Sequence, residues 1–357
     1  MNYNEIRRKT KEITIGRVKI GGNNAVAVQS MTNTPTEDKE RTYNQVKALE
    51  AAGCDIVRLA IPSLEAVKTI SYIKEKGIFV PLVADIHFDY RLAIECANAG
   101  VDKIRINPGN IGAVENVKAV ADVCRQKKIP IRVGVNSGSL EKGVKQKYGA
   151  TTGDALADSA ISNIRLLEKF DFDNIVVAIK SSDVYKMIKA NEAVASVCDY
   201  PIHLGVTEAG TANMGSIKSA VGIGSLLTHG IGDTLRVSLT DDPVLEPKKG
   251  REILASLNMD ERNLIDLVSC PTCGRTRVGL FELAREFESR MGEMHPSRHL
   301  KVAIMGCAVN GPGEASDADI GIAGGDDEVL MFKGGRPVCK LSMEQALGRL
   351  IEEINRM

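Results

Sequence analysis

The sequence predicts an α/β fold: a parallel (β/α)8 barrel followed by a small α+β domain. Three observations carry this. Between Ala25 and Leu239, eight short β-branched runs alternate with segments of helical period. Strands separated by helices make parallel sheets, and eight such units in roughly 200 residues or a little more close into a barrel. No Gly-x-Gly-x-x-Gly follows the first run, so the rival open doubly wound sheet lacks its nucleotide fingerprint. A length of 357 residues also exceeds what one hydrophobic core usually organises, which calls for a second, smaller domain.

The eight runs are AVAVQS (25–30), DIVRLAI (55–61), IFVPLVAD (78–85), VDKIRIN (101–107), IPIRVGV (129–135), NIVVAIK (174–180), YPIHLGV (200–206) and DTLRVSL (233–239). Segments such as TEDKERTYNQVKALEAAG and LADSAISNIRLLEKF separate them as helices. A further helical stretch, EPKKGREILASLNM, leads to the charged connection DERNL, which places the boundary near Asp260 and the domains at 1–260 and 261–357. The second domain reads as a strand ending at Cys270, a helix over 278–291, the strand HLKVAIMG, a Gly/Pro turn, three strands (ADIGIAG, EVLMFKG, RPVCKLS) and a last helix. That helix opens on a Ser342-x-x-Gln345 capping box, and Met343, Leu347, Leu350, Ile354 and Met357 form its core-facing stripe.

Lysine plus arginine and aspartate plus glutamate number 46 each, so no net field favours nucleic acid or a membrane surface. The N-terminus lacks the apolar stretch of a signal peptide, and no apolar run is long enough to span a bilayer; a cytoplasmic protein is expected. Eight cysteines in such a chain do not make a disulfide framework. Cys54, Cys96, Cys124 and Cys198 stand singly in apolar context and read as small buried hydrophobes. Cys270, Cys273, Cys307 and Cys339 all fall in the last quarter.

Catalytic groups of a barrel sit at the C-terminal strand ends. Those ends carry Arg58, Arg105, Arg132, Lys180 and Arg236, one cation on each of five strands. Asn107, Asn136 and Ser238 share faces with Arg105, Arg132 and Arg236, Asp85 and His87 share a face on the third strand, and Thr207 and Glu208 end the seventh. A structural salt-bridge layer would balance, because an unpaired buried charge costs on the order of several kcal/mol. Five cations against Asp85 and Glu208 do not balance, and the surplus calls for a polyanion such as a ligand with more than one phosphate.

Cys270-Pro271-Thr272-Cys273 spaces two thiols for a metal or a redox pair. A thioredoxin-like dithiol needs no third cysteine, and structural zinc needs four closed ligands. The partner segment, Gly306-Cys307-Ala308-Val309-Asn310-Gly311-Pro312-Gly313-Glu314, offers one cysteine and no histidine. Three cysteines among glycine-rich turns suit a [4Fe–4S] cluster, with Glu314 or Cys339 as candidate fourth ligand; Cys339 lies in an apolar strand where a packed thiol is the commoner state.

CPTCGR followed by GCAVNGPGE, behind a barrel containing VADIHF, KIRINPGN and HLGVTEAG, resembles the 4-hydroxy-3-methylbut-2-enyl diphosphate synthases of the non-mevalonate isoprenoid pathway. The resemblance covers essentially the whole chain, in its two-domain form. It implies a [4Fe–4S] cluster on Cys270, Cys273, Cys307 and Glu314, with no role for Cys339. It implies that the five cations with Asn136 and Ser238 hold the diphosphate of 2-C-methyl-D-erythritol 2,4-cyclodiphosphate, and that Asp85, His87, Asn107, Thr207 and Glu208 line the rest of the pocket. The implied reaction is a reductive dehydration with ring opening, Glu208 protonating the departing oxygen and Glu314 giving way when that oxygen binds. Flavodoxin or ferredoxin is the implied electron donor, since no flavin or nicotinamide fingerprint is present. A non-catalytic iron–sulfur sensor and a zinc-stabilised barrel lyase using Lys180 as a Schiff base are the alternative functions. The helix after strand eight returns to the barrel bottom, away from the cations, so a head-to-tail homodimer with shared active sites is expected.

Overall fold

The computed structural model describes residues 3–260, 262, 264–307, 315–325 and 328–357. The chain divides into two compact units, Met1–Met259 and Asp260–Met357. The first opens with an antiparallel hairpin of β1 (Ile13–Ile15) and β2 (Val18–Ile20), which the sequence pattern did not announce. Strands of three residues are too short for a legible alternation, and the turn depends on Gly16, at φ +56°. Ile13, Ile15 and Ile20 pack on Ala27, Ile56, Val83 and Val176 from the N-terminal ends of barrel strands, so the hairpin plugs the barrel floor.

The barrel strands are β3 (Ala27–Met31), β4 (Ile56–Ala60), β5 (Leu82–Asp85), β6 (Lys103–Ile106), β7 (Ile131–Asn136), β8 (Ile175–Lys180), β9 (His203–Leu204) and β10 (Thr234–Leu235). All pairings from β3 to β8 are parallel, and β10 pairs in parallel with both β3 and β9. A parallel bridge from Val177 to Ile202 joins β8 to the residue just before β9 and brings the ring to closure. Each expected run holds a strand. The last two are trimmed to two residues, although the Arg236 amide still donates to the Leu204 carbonyl at 3.0 Å.

One parity of each strand faces the helices. Val28, Val57, Leu59, Ile104, Val133, Val135, Val177 and Leu235 belong to a single apolar cluster there. The other parity faces inward and is where the polar residues fall. Asp38, Ser63, Asp89, Thr152 and Asp183 cap the helices that follow, each side chain accepting a backbone N–H of the first turn. Cys54, Cys96 and Cys124 are buried, and that burial pushes their thiols up to about 12; Cys198 is half-buried and also raised.

The second unit has a five-stranded sheet of β11 (Ile265–Ser269), β12 (Leu300–Met305), β13 (Ile320–Gly324), β14 (Val329–Lys333) and β15 (Arg336–Leu341) in that order. The first three are parallel and the last two antiparallel. Helices Leu280–Arg290 and Met343–Ile354 cover its apolar core. Leu347, Leu350 and Ile354 are buried as the stripe requires, but Met343, at the first helical position, is 37% exposed. The capping box does not form: Ser342 occupies the cap position, yet its hydroxyl makes no cap bond, and its carbonyl takes the Gln345 and Ala346 amides instead. Cys339 packs against this core from β15, as a structural thiol would.

If the hairpin is a structural plug, Ile15→Ala removes fully buried apolar atoms and lowers the unfolding free energy by about 2–5 kcal/mol in urea denaturation. Ile6→Ala, at a 41% exposed position, leaves it nearly unchanged.

Candidate active site

The inward parity builds a polar barrel interior in layers. Nearest the floor lie Gln29, Lys103, Arg132, His203 and Thr234, all buried. Lys103 Nζ and Arg132 Nη1 each stand 3.5 Å from the same Gln29 oxygen, and His203 Nδ1 bonds the Thr234 hydroxyl. Above them, at the strand ends, come Arg58, Asp85, Arg105, Lys180 and Arg236. Arg105 Nη1 donates to Asp85 Oδ1 at 2.9 Å, while Arg58 Nε and His87 Nε2 lie 3.6 and 3.7 Å from Asp85 Oδ2. Arg58 and Arg236 both reach the Met31 sulfur, at 3.0 and 3.4 Å.

Arg236 is gripped from outside the strands. Its Nε and Nη2 donate to the two oxygens of Glu246 at 2.8 and 2.9 Å, a two-point pairing that fixes the guanidinium plane. Glu246, on helix Leu245–Ala255, also accepts from the Ser30 hydroxyl at 2.7 Å and the Leu239 amide at 3.2 Å. The carboxylates facing the cations are therefore Asp85 and Glu246. Glu208, expected to be the second, is exposed on the loop after Thr207, with a left-handed backbone at φ +52°.

Space for five long cations comes from small inward residues. A Cβ on Gly134 would stand 2.4 Å from Arg105 Nε, and one on Gly205 would stand 2.7 Å from Lys180 Nζ. All five cations then line one cavity of about 220 Å³, together with Asp85, His87, Asn136, Thr207 and Ser238. Asn107 and Glu208 are not among its lining residues. The chain turns into a 3-10 helix after β6, and the Asn107 side chain caps it by accepting the Gly109 amide at 3.1 Å.

The charges strain against one another. Burial alone would raise the Asp85 carboxyl, but Arg58 and Arg105 hold it well below the ordinary range. Burial pushes Arg58 down to about 10 despite Asp85, and lowers Arg132 and Lys180 well below their ordinary values, with neighbouring guanidiniums adding to the effect. Guanidiniums do not give up their protons in proteins, so this repulsion stands until an anion enters. Such a cavity can bind a compact polyanion and fix its orientation.

In the second unit, β11 and β12 run parallel with Ser269 opposite Ile304, so Cys270 and Cys307 leave the same sheet edge. The Gly306 amide donates to Cys270 Sγ at 3.3 Å, and Cys307 is buried. Cys273 is exposed on the adjoining turn, its amide bonded to Thr276 Oγ1; hydrogen bonds from the backbone and side chain of Arg275 draw its thiol below the usual value. The Arg277 amide ties this turn to the Gly306 carbonyl at 2.9 Å. Among the described residues no three His, Cys, Asp or Glu side chains converge as a metal-binding group. Glu314 lies outside the described residues.

Residues 10–251 match the GcpE TIM-barrel domain and residues 266–356 the GcpE protein C-terminal domain. The chain belongs to the GcpE family. A protein of Ruminiclostridium cellulolyticum named 4-hydroxy-3-methylbut-2-en-1-yl diphosphate synthase (flavodoxin) is 54% identical over 351 residues, covering 98% of both chains. One of the same name from Caldanaerobacter subterraneus subsp. tengcongensis is 54% identical over 353 residues, covering 99% of this chain and 98% of that one. Among solved structures, an N-acetylneuraminic acid synthetase from Leptospira borgpetersenii overlays with a TM-score of 0.50 at 15% identity, over 79% of this chain and 96% of that one; the likeness is one of fold.

Several residues of the GcpE-family mouth escaped sequence reasoning. Met31, Gly134 and Ala178 lie on the inward parity and were findable by counting back from the cations. Lys103 had the same signal, two residues before Arg105. Glu246 had none, since only the phase of its helix turns it inward.

If Gly134 is what makes room for Arg105, Gly134→Ala weakens inorganic pyrophosphate binding by on the order of tenfold in calorimetric titration. Gly138→Ala, at a position with open space around it, leaves the affinity unchanged.

Proposed function

We propose that this GcpE-family chain is an iron–sulfur oxidoreductase that forms 4-hydroxy-3-methylbut-2-enyl diphosphate from 2-C-methyl-D-erythritol 2,4-cyclodiphosphate. The observation that carries the substrate class is the cavity itself, where five cations meet two carboxylates already engaged by arginines. A ligand with two linked phosphates answers that surplus. The name of the two relatives above supports the product and flavodoxin as donor, with ferredoxin as the other small carrier of the same kind.

In this reading Arg58, Arg105, Arg132, Lys180 and Arg236, with Asn136 and Ser238, bind the diphosphate and so fix the carbon skeleton. Asp85 acts through Arg58 and Arg105 by holding them in place, and Glu246 does the same for Arg236. His87 and Thr207 face the remainder of the substrate, with Asn107 shaping the loop beside it. Glu208, at the rim, is the group to which we assign the proton for the departing oxygen.

The cysteine edge fits an iron–sulfur cluster by its donors: a thiol that already accepts a backbone amide, a buried second thiol on the same edge, and a third drawn below its usual value by hydrogen bonds from Arg275. We assign Cys270, Cys273 and Cys307 as ligands, with Glu314 as the fourth. A cluster held there would supply electrons one at a time. Cys339, on β15, has no part in it.

We further propose that the working form is a head-to-tail homodimer. Helix Leu245–Ala255 starts beside the cations at Glu246 and runs back, so that Arg251 donates to the Gly53 carbonyl at 3.0 Å, just before β4 begins. The first unit therefore ends at the face opposite its own cavity. Cluster and cavity meet if each chain supplies one of them to its partner.

Two inactive parents test both halves. Cys270→Ser loses iron and activity, whereas Arg105→Ala keeps the brown visible spectrum and loses substrate binding by about 2–5 kcal/mol. Mixed under conditions of subunit exchange, they regain activity, because one site of each mixed dimer is intact. Cys339→Ser keeps both iron and turnover. Full activity in Cys270→Ser refutes the cluster, and demonstrated exchange without recovery refutes the shared site.

A further inference from the structure

Lys180 differs from every other cation at the cavity. The four arginines around it, Arg58, Arg105, Arg132 and Arg236, keep their charge under all ordinary conditions. Asp85 is engaged by Arg58 and Arg105, and Glu246 is taken by Arg236, Ser30 and the Leu239 amide. Lys180 has no ion-pair partner among the described residues. It is 7% exposed at the end of β8, close to Gly205, and the charges acting on it most are those of Arg58, Arg132 and Arg236, with a weaker opposing one from Glu246. Lys103 and His203 lie in the layer beneath, and His87 at the rim. Four guanidiniums against two carboxylates already leave an excess of two positive charges before the lysine is counted.

An ammonium in that position would face like charges with little water to screen it, so the empty cavity favours the neutral amine. An anion in the cavity reverses the balance, and an amine that touches it gains by becoming an ammonium that donates to it. We propose that filling the cavity with an anion draws one proton from solvent onto Lys180, so that ligand binding and protonation of this side chain are a single coupled event. The N–H bond forms at Nζ, the proton comes from solvent water or buffer, and no other group changes state. The direction of the lysine's shift, down by burial first and then by Arg58, Arg132 and Arg236 against a smaller upward pull from Glu246, agrees with this. Because the free side chain titrates below the usual lysine value and the bound one above its free value, affinity is highest at low pH. It then falls as pH rises through the interval between them, by up to roughly tenfold per pH unit for one proton.

The proposal rests on the reading of the cavity as an anion site but not on the identity of the substrate, so sulfate serves as probe. Its charge is constant across the range of interest. Titration calorimetry of the whole protein at about pH 9, well above the ordinary histidine value of about 6.5, is run in two buffers of different ionisation enthalpy. The expected result is uptake of about one proton per sulfate bound. Lys180→Arg is expected to bind sulfate with no proton uptake and no fall in affinity over this pH range, whereas Lys103→Met keeps the uptake. A second measurement needs no variant: in lysine-labelled wild-type protein, saturating sulfate moves one buried lysine Cε resonance from the neutral to the charged position. Uptake that persists in Lys180→Arg, or a lysine spectrum that sulfate leaves unchanged, overturns the proposal. Normal turnover of the cyclic diphosphate alongside no proton uptake would overturn it while leaving the proposed function standing.

Discussion

An excess of buried positive charge at the mouth of the barrel is the constraint around which the first unit is organised. Each unpaired charge taken out of water costs on the order of several kcal/mol, so the fold holds this cavity at the expense of stability. The features around it read as responses to that cost. Glu246 crosses from the last helix of the unit to take Arg236 by both nitrogens. Asp85 is shared between two guanidiniums. Gly134 and Gly205 leave out side chains that would collide with Arg105 and Lys180. The apolar plug of Ile13, Ile15 and Ile20 seals the opposite end, and the ring of outward Val, Leu and Ile residues supplies apolar burial away from the charges.

The second unit meets a different demand. Its parallel strands β11 and β12 bring two cysteines to one edge, and a backbone amide already points at one of the sulfurs. Its hydrophobic core lies between the sheet and two helices, with Cys270 packed at the margin of that core and Cys307 buried. The two units differ accordingly: one concentrates positive charge in a cavity, and the other carries cysteines at a sheet edge.

Much of this was legible in the sequence because the barrel repeats one simple rule. Strands alternate inward and outward, so a cation flanked on both sides by aliphatic residues of such a run faces the interior, as Arg58, Arg105 and Arg132 do. The rule fails where the backbone leaves the strand. Asn107 has the right parity, but the chain enters a 3-10 turn there and its side chain caps that turn. Glu208 follows Thr207 directly, yet a left-handed residue turns the loop outward. Glu246 sits among lysines in a helix that reads as solvent-facing, and only the packed helix reveals its phase. The N-terminal hairpin was missed for want of length.

If the cations form a ligand site they strain the empty fold, and if they form a structural layer they support it. The two views differ in sign for Arg132, which is 1% exposed and surrounded by like charge. The decisive measurement is the unfolding free energy of ligand-free Arg132→Met, taken together with its affinity for the cyclic diphosphate. A ligand site requires stability equal to or greater than that of the unsubstituted protein, since one repelling charge is replaced by an apolar chain of similar length, and a loss of affinity of about a hundredfold or more. A loss of several kcal/mol of stability with affinity unchanged would contradict it.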